Sequence, residues 1–98
     1  HVQITGVRLK NAATGEKQEI VCDGIFVSVG REPETRMIEN QVVLDENGYI
    51  IADESTKTNL PGVFAVGDIR TKALRQIVTA TADGANAAYA VEEYLANK

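Results

Sequence analysis

Gly62-Val63-Phe64-Ala65-Val66-Gly67-Asp68 decides the reading of this chain. Val63, Phe64 and Val66 are β-formers that suit a half- or fully buried strand, and the run stops abruptly at a glycine and a carboxylate. Gly67 lacks a Cβ where a backbone turns or lets a ligand approach. Asp68 brings two strong acceptor oxygens, suited to a ligand hydroxyl or to the amides of a following helix. A little further on, Arg75-Gln76-Ile77 opens a helix rich in alanine. The plain alternative is a strand, loop and helix whose aspartate only caps the helix.

Working downstream, residues 74–95 read as that helix. Ile77, Ala80, Gly84, Ala87, Ala88, Val91 and Leu95 recur at three- or four-residue spacing and predict one narrow apolar stripe of small side chains. Gly84 costs about 1 kcal/mol relative to alanine inside a helix, so the stripe is expected to need space there, for close packing on a sheet or for a ligand.

Working upstream, Val42-Val43-Leu44 and Tyr49-Ile50-Ile51 flank Asp45-Glu46-Asn47-Gly48, a hairpin signal. Ile25-Phe26-Val27-Ser28-Val29 is nearly continuous β-former and predicts a strand covered on both faces. It ends at Gly30, and Pro33 keeps Glu32 out of helical geometry, so residues 31–35 are expected to form an irregular crossing. Residues 2–22 predict a first hairpin around Asn11-Ala12-Ala13-Thr14-Gly15, with a bulge at the break in alternation at Thr5-Gly6. Cys22, at the end of Ile20-Val21-Cys22, reads as a half-buried strand thiol.

Composition excludes several functions. The net charge of −4 and the lack of a Lys/Arg stripe argue against nucleic acid and against polybasic membrane attachment. No apolar run approaches the ~20 residues of a membrane span, and no signal-peptide pattern opens the chain. One cysteine among 98 residues leaves no Cys-x-x-Cys centre, and His1 has no metal-ligand partners at useful spacing. A first residue His1, already in strand pattern, reads as part of a longer protein.

Gly67, Asp68, Arg75, Gln76 and Ile77, followed by Thr81-Ala82-Asp83-Gly84, resemble the last flavin-binding segment of bacterial-type thioredoxin reductases. Asp23-Gly24-Ile25-Phe26-Val27-Ser28-Val29-Gly30-Arg31-Glu32-Pro33 is similar to the domain-crossing segment of that family, and Gly48-Tyr49-Ile50 to its hairpin. The resemblance runs in one register over nearly the whole chain. It departs at Glu34, where the family often has Asn, and in lacking the Gly-x-Gly-x-x-Gly turns that cradle dinucleotide pyrophosphates.

The resemblance implies an α/β fold: the C-terminal fragment of a flavoprotein with two dinucleotide-binding domains, built of β-hairpins, a core strand and one long C-terminal helix. Residues 1–30 would complete the NADPH-binding domain and 31–98 the split FAD-binding domain, with Gly30 near the hinge between them. Asp68 would hold the ribityl chain of FAD. The helix start, with about half a positive charge, would face the flavin N1–C2 edge, with Gln76 and Ile77 beside it and Arg75 reaching the ring edge, ribityl or phosphate oxygens. None of these groups would be catalytic; their part is binding and redox tuning. The intact protein would be a cytoplasmic homodimer that takes electrons from NADPH through FAD to thioredoxin, and these residues alone would not turn over. Two alternatives stand beside it: a ferredoxin/flavodoxin–NADP reductase of thioredoxin-reductase type, and a non-catalytic oligomerisation or interaction module.

Overall fold

A computed structural model describes residues 2–98, so the reading of His1 as a residue without metal-ligand partners falls outside the described residues. The chain divides into two compact units, one ending at Gly30 and the other running Arg31–Lys98.

The first unit is the expected hairpin. Strands β1 (Gly6–Lys10) and β2 (Lys17–Val21) pair antiparallel, with Arg8 opposite Glu19 and Lys10 opposite Lys17. Asn11 builds the loop: its Oδ1 accepts from the Ala13 and Thr14 amides at 2.9 and 3.2 Å, an Asx turn. The expected bulge is absent. The register runs evenly from Gly6 opposite Val21, and the Cys22 amide donates to the Thr5 carbonyl at 3.2 Å. Gly6 breaks the apolar alternation for another reason: a Cβ there would stand 2.8 Å from the Ile20 carbonyl oxygen. Cys22 is half-buried, as expected, but just past the strand end.

Residues 25–29 form no strand, contrary to their β-forming composition, and Phe26, Val27 and Val29 are exposed. A strand exists only through hydrogen bonds to a neighbour, and no described segment pairs with this one.

The second unit is built from single bridges and one helix. Ile50 is its pivot: it bridges Leu44 antiparallel and Arg70 in parallel, giving its amide to the Ile69 carbonyl and accepting from the Thr71 amide. The Asp45–Gly48 turn is closed by Asp45 Oδ1, which accepts from the Asn47 and Tyr49 amides, both at 2.9 Å. The predicted strand 63–66 also reduces to one bridge, Phe64 with Lys57, and Val63 and Val66 lie exposed while Ala65 is buried. Small residues therefore make the core, with Ala52 and Ala65 packed beside Val42 and Ile50.

Helix α1 (Ile77–Ala96) lies in the expected region but starts three residues later than residue 74, because Gln76 before it is extended. Its packed face differs from the predicted stripe. Ala80, Asp83, Ala87, Ala90, Val91 and Tyr94 turn inward, while Ile77, Gly84, Ala88 and Leu95 are exposed. A Cβ on Gly84 would meet nothing within 4 Å, so no described neighbour needs that space. Tyr94 anchors the far end against Phe64, ring edge to face, with centroids 6.3 Å apart.

Candidate functional site

The backbone turns where the Gly-Asp pair predicts. Gly67 has φ +78°, a left-handed conformation that favours glycine, and opens the short 3₁₀ turn Gly67–Ile69. A Cβ there would stand 3.6 Å from the Ala80 Cβ, an ordinary contact, so conformation rather than space demands the glycine.

The turn leaves the Asp68 side chain partly exposed. Arg31 Nη1 donates to its Oδ2 at 2.8 Å, joining the crossing segment to the turn. Arg75 ties the same turn to the helix. Its Nε donates to the Asp68 carbonyl and its Nη2 to the Arg70 carbonyl, both at 3.0 Å, while the guanidinium lies 3.7 Å over the Tyr49 ring. Such a stacked cation is held in place by the ring's quadrupole as well as by its hydrogen bonds. Arg31, Pro33, Tyr49, Asp68, Ile69 and Arg75 thereby border a shallow cleft of about 280 Å³.

Gln76 precedes the helix in extended geometry, and its amide donates to Thr79 Oγ1 at 2.9 Å. Ile77 follows, exposed. The amides of the first turn have no acceptor within a helix and carry its positive dipole end. Gly67, Asp68 and Arg75 are thus brought into direct contact through one turn, and Gln76 and Ile77 lie at the adjoining helix start.

Sequence reasoning missed what lies beneath. Asp83 is 1% exposed and Arg70 2%, joined by two hydrogen bonds of 2.7 Å. Lys72 Nζ and the Gly67 amide complete the set on Asp83 Oδ2, each at 2.8 Å. The Arg70 guanidinium, with the Lys72 ammonium and the Gly67 amide, holds the Asp83 carboxyl far below the usual carboxylate range, outweighing the opposing effect of burial. Hydrogen bonds to Asp83 and Glu54 raise Arg70 in turn, against burial. Two charges separated by a turn and half a helix carry no periodic signal. The one sequence hint is an aspartate, a poor helix former, amid alanines.

No helix of the described residues is long and apolar enough to cross a membrane. The sequence model of the pyridine nucleotide-disulphide oxidoreductases matches residues 1–84. A thioredoxin reductase of Peptoclostridium litorale is 52% identical over 92 residues, covering 88% of this chain and 29% of that protein. A thioredoxin reductase of Listeria monocytogenes is 44% identical over 93 residues, covering 95% of this chain and 29% of that protein. The crystal structure of thioredoxin reductase from Streptococcus pyogenes MGAS5005 matches with a TM-score of 0.78 at 40% identity, over 98% of this chain and 31% of that one. The chain spans about three tenths of the length of these relatives. With most of its residues inside the family's sequence model and this identity to its members, the chain belongs to the pyridine nucleotide-disulphide oxidoreductase family.

Proposed function

We propose that the chain is the part of an FAD-dependent, NADPH-linked thioredoxin-disulphide reductase that holds the ribityl chain and pyrimidine edge of the flavin. Residues 31–98 belong on this reading to the FAD-binding domain and 1–30 to the end of the NADPH-binding domain. One observation carries it: a partly exposed carboxylate on a left-handed Gly67 turn is tied by Arg75 to the neighbourhood of a helix start, in a chain whose relatives above are thioredoxin reductases.

The residues fit such a ligand. Asp68 is an acceptor-only group that suits a polyol, with Oδ2 engaged by Arg31 and Oδ1 left for a ligand hydroxyl. The first-turn amides of α1 and the fixed Arg75 charge favour negative charge beside the helix start. Arg75 has Nε and Nη2 committed to carbonyls, so its role is to set potential and hold the turn rather than to reach out for a phosphate. The side-chain NH2 of Gln76 and the exposed Ile77 offer a donor and an apolar surface to a ring edge. The bound flavin supplies the hydride-accepting ring; the protein's residues bind it, orient it and set its potential. NADPH is the reductant and thioredoxin the partner of the whole enzyme.

The test is FAD affinity of the whole protein with Asp68→Ala. Loss of the carboxylate is expected to weaken FAD by about 1–3 kcal/mol, because a ligand hydroxyl loses its acceptor. Unchanged affinity with a lower melting temperature would make Asp68 a structural cap and overturn the reading.

A further inference from the structure

The buried carboxylate beneath the turn bears on the site above it. Asp83 lies six residues into α1, about 9 Å from the helix start at 1.5 Å per residue. Its Oδ2 takes the Gly67 amide at 2.8 Å, along with Arg70 Nε and Lys72 Nζ. Arg70 extends the link: Nη1 donates to the Ala52 and Thr71 carbonyls and Nη2 to Glu54. A bare buried carboxylate is very costly, and this one is tolerated because four donors converge on it. Apolar packing alone would hold the helix to the core without fixing the turn. The Gly67 amide is the donor that belongs to the turn's own backbone, so the bond sets where Asp68 stands relative to the helix start.

We propose that Asp83 is a positioning residue for the flavin site, a buried clamp that fixes the Gly67-Asp68 turn against the N-terminal end of α1. The inference rests on the function proposed above. Asp83 touches no ligand; it acts through Gly67. The two halves of the site, a carboxylate for the ribityl chain and helix amides for the ring edge, are thereby set at one separation before the flavin arrives.

The experiment uses the whole protein with two variants. Asp83→Ala removes the oxygen that accepts from the Gly67 amide. Asp83→Ala/Lys72→Gln removes the same acceptor together with one charge of each sign, so the remaining Arg70 and Glu54 leave the cluster neutral and the fold is less perturbed. Flavin affinity is expected to fall about tenfold in the folded variants, with an altered visible spectrum and a shifted midpoint potential of the flavin that remains bound. A purely structural role would lower the melting temperature and leave spectrum, affinity and potential as in the wild type, which overturns the proposal. A wild-type protein that takes up no FAD overturns the functional reading and this inference with it. The wild type also gives a check that needs no variant: with the flavin stripped off, the Gly67 amide is expected to stay protected from hydrogen exchange. Rapid exchange at Gly67 in the flavin-free protein, slowed only on loading, would show that the ligand and not Asp83 holds the turn.

Discussion

In the unit that ends at Gly30, the longest run of strand formers lies exposed, with Phe26 wholly so, whereas in Arg31–Lys98 a guanidinium and a carboxylate are among the most completely buried side chains. Apolar residues outside and charges inside invert the usual rule, and both inversions have the same cause. Burial follows available partners. Residues 25–29 have strand propensity but no described strand to pair with, and propensity alone does not make a sheet. Arg70 and Asp83 find each other across the turn and add Lys72, Glu54 and the Gly67 amide, so their charges survive where a lone one would not.

The largest effect that breaks this contrast is removal of one buried partner. Asp83→Ala strands Arg70 and Lys72 against the core, and is expected to cost about 3–5 kcal/mol of stability, read as a lowered denaturation midpoint. The pH dependence has a definite sign. Asp83 has its folded pKa depressed, so its contribution is complete above the unfolded value of about 3.9 and is lost progressively as pH falls from there toward the far lower folded value. The wild type should therefore lose stability more steeply than Asp83→Ala in acid below about pH 4. Parallel acid profiles for the two would show that the carboxylate is not ionised in the fold.

The same contrast explains what was legible in the sequence. The residue 2–22 hairpin and α1 were, because an Asn-built loop and a long run of helix formers are local signals. The Gly67 turn was legible because glycine before a carboxylate marks a left-handed bend. The strands expected at 25–29 and 63–66 were not, since pairing is settled by segments distant in sequence. The helix face was misjudged by about one residue: a periodicity that places charges outside selects Gly84 and rejects Asp83, although Asp83 is the one buried. Arg31 and Tyr49, which frame Asp68 and Arg75, carry no signal of their own before the chain is folded.

A medium effect isolates conformation from burial. Gly67→Ala meets only ordinary contact with Ala80, so its whole cost is the left-handed backbone, about 1–2 kcal/mol. The melting temperature should fall by that equivalent, and the loss should be additional to that of a distant core truncation such as Val42→Ala. A neutral Gly67→Ala would mean that the turn relaxes out of its left-handed state and is not held by Asp83.

The smallest expected effect tests the other side of the comparison. Phe26→Ser alters a side chain that is fully exposed, so in the 98-residue chain its stability should change by no more than about 0.5 kcal/mol in either direction. On the proposed function, the whole reductase supplies neighbouring strands for residues 25–29, and the same substitution then removes a large apolar side chain from a packed sheet at a cost of about 3–5 kcal/mol. Measuring both proteins by chemical denaturation turns one mutation into a probe of context. A large loss in the 98-residue chain would show that Phe26 already packs within it. An equally small change in the whole protein would show that residues 25–29 stay uncovered there too, and that their β-forming composition serves a surface and not a sheet.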